Sequence, residues 1–287
     1  MRRLPCLSRQ VGLLLAALLP VIAGGCSGKE SLRGDLVLIL ADRAPDQPST
    51  LFEELVGSAL TFTGPLDFPN DSGDPEGTER ALLLELLTGK RSGQEQGRSY
   101  EWLLSLPQSA KLSGYRSLCV SNHLDTIELF GMEQHFDYGL FPAVASKAPA
   151  ANQGHGTAAA LAALLGDYEA RGIDRGATFL LADLTGADGQ LEPTLASIRG
   201  ELFGPGSLGG SSIPRRQTLA ILFTDPDSSL RAVIVGPDIQ PSQNADGVAP
   251  RDFLPTLAGR GDIKVTAYLA GVVVPGFLSG RDLLQAE

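Results

Sequence analysis

Cysteine, histidine and basic residues are all scarce in this chain of 287 residues, and each scarcity closes off a class of protein. Three cysteines with no CxxC pair cannot build a disulfide framework or a zinc knuckle. The three histidines show no HxxxH or HExxH spacing, so a zinc site of that kind has no basis. With 23 basic against 33 acidic residues the net charge is −10, which repels phosphate backbones and argues against a nucleic-acid partner. Long apolar runs are missing too. The longest, Val11 to Ala23, covers 13 residues, too short for a confident membrane-spanning helix. What is present is ordinary for a folded chain. Hydrophobic residues at 43% and charged residues at 20% exclude a mostly disordered one. Glycine and proline are plentiful, at 34 and 19, and imply many turns.

The amino terminus reads as an address. Arg2, Arg3 and Arg9 precede the apolar run, and Gly24-Gly25-Cys26 follow it, as in a secretory signal. Small residues ending in Cys resemble the lipobox of bacterial lipoproteins, with Ala23 where Leu is usual. The resemblance implies a signal peptide over 1–25, lipid on Cys26 and a membrane held through that lipid. It also implies a location at the extracytoplasmic face of a bacterial cell envelope. Ordinary secretory cleavage, with Cys26 incidental, is the alternative. Removing residues 1–25 takes away three arginines and no acid, leaving 262 residues at −13. Cys119, within Leu118-Cys119-Val120, reads as a buried core thiol.

Beyond a short linker over 26–34, one α/β domain is expected over 35–287. Continuous apolar runs predict strands buried on both faces at Asp35–Asp42, Tyr115–Val120, Ala177–Asp183, Thr218–Thr224 and Ala232–Val235. Helical spacing predicts helices over Leu51–Leu60, with Pro48-Ser49-Thr50 as capping residues, and over Arg80–Leu87, Thr157–Ala170 and Leu191–Phe203. Leu103–Leu112 reads as a weak helix interrupted by Pro107, and Asp67–Gly77 and Gly204–Pro214 read as loops. Strands alternating with helices predict a mostly parallel wound sheet with helices on both faces.

Seven short motifs, in order over residues 35–284, resemble the sulfatase branch of the alkaline phosphatase superfamily. They are Asp35–Asp42, Leu86-Leu87-Thr88-Gly89, Gly114-Tyr115-Arg116-Ser117, Gln134-His135-Phe136-Asp137, Thr218–Asp225, Asp252–Leu257, and Gly271–Pro275 with Gly280–Leu284. The resemblance implies a metal-held hydroxyl or formylglycine that attacks a sulfate or phosphate ester, with carboxylates holding the divalent ion.

Several of the implied site positions are altered. Where the family has two adjacent acids after the first strand, this chain has Asp42 followed by Arg43. Counting back from Leu86-Leu87-Thr88-Gly89, the nucleophile position is Glu79, beside Arg80. No Cys is near, so formylglycine is excluded, and the nearest hydroxyl is Thr78. The plainer reading of Thr78 is a cap on the helix over 80–87. Thr224-Asp225-Pro226-Asp227 stands where the resemblance implies Asp-His ligands, which leaves Asp225 or Asp227 to reach a metal, Asp227 being the candidate adopted, and a polar turn as the alternative. His123, after Ser121-Asn122, stands near where arylsulfatases place a sulfate-contacting His.

Three functions compete. One is a lipid-anchored, catalytically degenerate sulfatase-like protein that binds or scaffolds, with a small anionic ester or a glycan as ligand and no cofactor. A second is an active ester hydrolase using Thr78, Asp42 and Asp227 with calcium, magnesium, manganese or zinc. The third is an unrelated α/β binding lipoprotein.

Overall fold

Six apolar residues in succession, Leu36–Ala41, form strand β1, and none is more than 3% exposed. A strand with no polar face is stable only between two packed layers. In the computed structural model it lies near the middle of an eight-stranded sheet. The structure describes residues 34–45, 49–67, 75–89, 105–121, 133–140, 177–186, 189–201, 217–225, 227–269, 272–275 and 280–285. The other strands of this sheet are β2 (Leu60–Phe62), β3 (Arg116–Ser121), β4 (Tyr138–Leu140), β5 (Thr178–Asp183), β6 (Thr218–Phe223), β7 (Ala232–Val235) and β8 (Ser242–Asn244).

The strand order is β4-β3-β5-β1-β6-β7-β2-β8. All pairs are parallel except β6–β7 and β7–β2, so β7 alone runs against the rest. β1 pairs with β5 on one side, Leu36 opposite Phe179, and with β6 on the other, Leu36 opposite Thr218. β9 (Thr266–Leu269) and β10 (Val272–Pro275) form a separate antiparallel pair.

The alternation of side chains along β1 divides the core into two layers. Leu36, Leu38 and Leu40 share a cluster with Leu82, Leu83, Leu86 and Leu87 of α2 (Pro75–Thr88), Leu106 and Ala110 of α3 (Leu106–Leu112), and Phe253, Leu254 and Leu257 of α5 (Phe253–Gly261). Val37, Ile39 and Ala41 face Leu51, Phe52 and Leu55 of α1 (Thr50–Gly57), and Leu195 and Ile198 of α4 (Leu191–Glu201). Helices therefore cover both faces of a mostly parallel sheet, as the alternating pattern predicts. Among the described residues no helix is long and apolar enough to cross a membrane.

Local differences from the sequence expectations have local causes. α1 is capped by Ser49, whose side chain accepts from Phe52 N–H, but it stops at Gly57 rather than Leu60. Leu60 instead begins β2, because pairing with β7 outweighs helical periodicity. α2 starts at Pro75 rather than near Arg80, a proline being preset for a first helical turn. Pro107 does not interrupt α3, since it falls in the first turn, where its missing N–H costs nothing. The helix expected over 157–170 and the loop expected over 204–214 lie outside the described residues.

Two of the sequence motifs meet at the base of α5. Thr256 Oγ1 donates to the Asp252 carbonyl at 2.7 Å and accepts from Leu283 N–H at 2.9 Å. Asp252 accepts from Ala249 N–H and from Arg281 N–H, at 2.9 and 3.0 Å. Gly261 packs so closely that a Cβ would lie 2.7 Å from Leu36 Cδ1.

Candidate functional site

Each of the four adjacent parallel strands β3, β5, β1 and β6 ends in, or is followed by, a short polar residue: Ser121, Asp183, Asp42 and Thr224. Sheet order brings these together at the carboxyl edge, where open α/β sheets place their ligand crevices. β1 lies between β5 and β6, so Asp42 stands at the centre of this row.

Asp42 is half-buried, and both carboxylate oxygens are engaged. Oδ2 accepts from Gly186 N–H at 2.8 Å, and Oδ1 accepts from the Thr224 hydroxyl at 3.2 Å. Its carbonyl accepts from Asp225 N–H at 2.7 Å. Arg43 beside it is exposed. Asp183 is fully buried, and takes the Ser121 hydroxyl on Oδ2 at 2.9 Å and the Thr185 hydroxyl on Oδ1 at 2.6 Å. Burial raises the thiol pKa of Cys119 on β3 well above its ordinary value, and the Asp183 charge adds to the rise. That thiol is inert at neutral pH.

After β6 the chain turns. Asp225 Oδ1 accepts from Asp227 N–H at 2.8 Å, and Ser228 N–H returns to the Asp225 carbonyl at 3.0 Å. The Arg231 guanidinium also donates to that carbonyl. Asp227 is exposed at the tip of this turn, while Asp42 is drawn into the strand ends. Thr78 is half-buried within the first turn of α2, three residues after its start, and so is not the cap of that helix. His123 and Cys26 lie outside the described residues.

The implied divalent ion can be tested against these residues. A hard cation needs several oxygen ligands converging with free lone pairs. Among the described residues no three of His, Cys, Asp and Glu gather in a way that could hold a metal. The residues described here do not fit the ion. Ser121 cannot replace Thr78 as a nucleophile either, being fully buried and committed to Asp183.

Sequence reasoning passed over Asp183, Thr185 and Gly186. The available signal was the polar residue closing each apolar run, which marks a strand end at a shared edge.

A cavity of about 540 Å³ lies beyond the ends of β2 and β8, lined in part by Leu66, Asp67, Val248, Arg251 and Arg281. Its cations are matched internally. Arg251 lies between Asp67 at 2.5 Å and the fully buried Glu85 at 3.3 Å, and Arg281 Nε is 3.5 Å from Asp252.

The architecture is an α/β fold similar to that of solved structures from the alkaline phosphatase superfamily. A protein of that superfamily from Vibrio parahaemolyticus superposes with a TM-score of 0.55 at 15% identity, covering 88% of this chain and 69% of its own. The 2-O GAG sulfatase BT1596 gives 0.52 at 13% identity, covering 88% and 75%. The lipoteichoic acid synthase LtaP from Listeria monocytogenes gives 0.51 at 10%, with the same coverage. At these identities the likeness concerns the fold alone. No protein-family model matches the sequence, and no curated protein matches it.

Proposed function

We propose that this chain is a catalytically degenerate, sulfatase-like binding protein of a bacterial cell envelope, held at the membrane by lipid on Cys26. The observation that carries the reading is the state of the carboxyl edge. Asp42, at the position of a metal ligand by resemblance, is hydrogen-bonded to a protein donor on each oxygen, Asp227 is exposed on the turn after β6, and no three potential ligands gather among the described residues. Without a cation a hydroxyl such as Thr78 keeps a pKa too high for attack at neutral pH, and a transferring sulfuryl or phosphoryl group lacks its charge partner.

The charge of the edge bears on the ligand. Asp42, Asp183, Asp225 and Asp227 outnumber the described cations near them, Arg43 and Arg231. A sulfate or phosphate ester would meet this field unshielded. An uncharged glycan fits it better, through hydrogen bonds from its hydroxyls.

Three measurements on the purified chain test the proposal together. Elemental analysis after dialysis should find less than stoichiometric calcium, magnesium, manganese or zinc. Chromogenic aryl sulfates and phosphates should not turn over with any of those ions added. Immobilised oligosaccharides should be retained in unsulfated form at least as well as in sulfated form. One metal per chain, with turnover abolished by Asp42→Ala, would instead establish the hydrolase using Thr78, Asp42 and Asp227. In cells, a fatty-acid analogue should label the wild type and not Cys26→Ala, and label retained in the variant would refute the anchor.

A further inference from the structure

We infer that Asp42 is a strand-end staple, whose carboxylate holds the carboxyl edge of the sheet together by hydrogen bonds where the resemblance would place a cation ligand. The inference rests on the degenerate reading of the site and extends it to the role that this side chain now performs.

The amino end of β1 supplies the comparison. There Asp35, buried, accepts from Thr178 N–H of β5 at 2.9 Å on Oδ1 and from Gln217 Nε2, just before β6, at 3.1 Å on Oδ2. Asp42 repeats the arrangement at the other end of the same strand. Its Oδ2 takes Gly186 N–H, just past β5, and its Oδ1 takes the Thr224 hydroxyl, just past β6. Each carboxylate gives one oxygen to each neighbour of β1. Asp35 lies at the edge opposite the crevice, where no ligand site is implied, so this pattern has a purely architectural use in the same molecule.

The need is physical. At the end of a parallel ladder the backbone groups lose their strand partners, and a side-chain acceptor can take the place of the missing strand. An ionised carboxylate can accept from two sides at once, and such charge-assisted bonds are stronger than neutral ones. The lacing extends one strand further. Asp183 Oδ2 takes the Ser121 hydroxyl, and the turn that presents Gly186 is held by Thr185, which donates to Asp183 Oδ1 from its backbone N–H at 3.2 Å and its hydroxyl at 2.6 Å. The four adjacent strands β3, β5, β1 and β6 are thus joined laterally at their ends by side chains.

A staple and a metal ligand respond differently to Asn. In Asp42→Asn the amide oxygen can accept from Gly186 N–H while its NH₂ donates to the Thr224 hydroxyl, so the lacing survives and the charge needed for a metal is lost. Thermal melting of the full chain should be the same in EDTA and in millimolar calcium, magnesium, manganese or zinc. Asp42→Asn should melt close to wild type, whereas Asp42→Ala and Thr224→Val should melt lower by roughly 3–10 °C. If Asp42→Ala does not fold, the comparison of Asp42→Asn with Thr224→Val carries the test. A wild-type melting point raised by a cation, with the rise lost in Asp42→Asn, would overturn the inference. So would Ala and Val variants indistinguishable from wild type, or Asn as damaging as Ala. Turnover of an ester with the expected melting pattern would refute the binding function and leave the staple standing.

Discussion

Ile39→Ala is the most direct probe of how this fold is held together. Ile39 has no exposed surface, lies on the central strand opposite Ala182 and Ile221, and packs into the layer that contains α1 and α4. The change removes three buried carbons, worth about 0.8 kcal/mol each in transfer, or roughly 2.4 kcal/mol. The space left behind adds to this, because neighbours on both flanking strands are fixed by the ladder and cannot collapse inward. The total should lie between about 3 and 4 kcal/mol, within the usual range for such deletions. Ile39→Val should cost about 0.5–1.5 kcal/mol, since only one carbon is lost. Leu112→Ala is the control, because Leu112 is 64% exposed and the change should fall within about 0.5 kcal/mol. Urea unfolding followed by circular dichroism reads all three as shifts in midpoint at constant slope. An Ile39→Ala midpoint that coincides with that of Leu112→Ala would refute the two-layer packing.

The Arg251 network gives a contrast between buried and exposed partners. Glu85 is fully buried and Asp67 is largely exposed, so Glu85→Ala should cost about 3–5 kcal/mol and Asp67→Ala under about 1 kcal/mol in urea unfolding. Equal costs would show that burial does not govern the pair. His135 sets a pH dependence, because burial lowers its pKa, with Glu133 opposing the shift and Lys111 adding to it. The folded state therefore favours the neutral ring, whose Nδ1 lies 2.9 Å from the hydroxyl of the buried Ser105. Stability from this group is complete above pH 6.5 and is lost as pH falls through the lower folded-state value. Unfolding midpoints between pH 7.5 and 5 should fall more steeply in the wild type than in His135→Gln, and parallel curves would exclude the effect.

Runs such as Leu36–Ala41 and Thr218–Phe223 were legible because they contain almost nothing else that could be buried. Six consecutive residues of that kind have one stable use, a strand between two layers, and the structure pairs these two in register. Helices α1, α2 and α4 were legible from their apolar spacing, α1 with a cap as well, although the start of α2 at Pro75 fell in a segment read as a loop. The three-residue strands β2 and β8 were not. Leu60–Phe62 and Ser242–Asn244 carry no periodicity of their own, and each is a strand only because a partner lies beside it.

The candidate site divides along the same line. That Asp42 follows the first strand, that Arg43 stands beside it, and that Asp227 sits in a turn-forming sequence are all local facts. The sequence alone determined them. Which donors would reach Asp42 was decided only by the fold, because Gly186 and Thr224 lie 144 and 182 residues further along the chain. A hydrogen bond depends on position in space to within a few tenths of an ångström, and only the sheet order β5-β1-β6 brings those two strand ends to either side of one carboxylate.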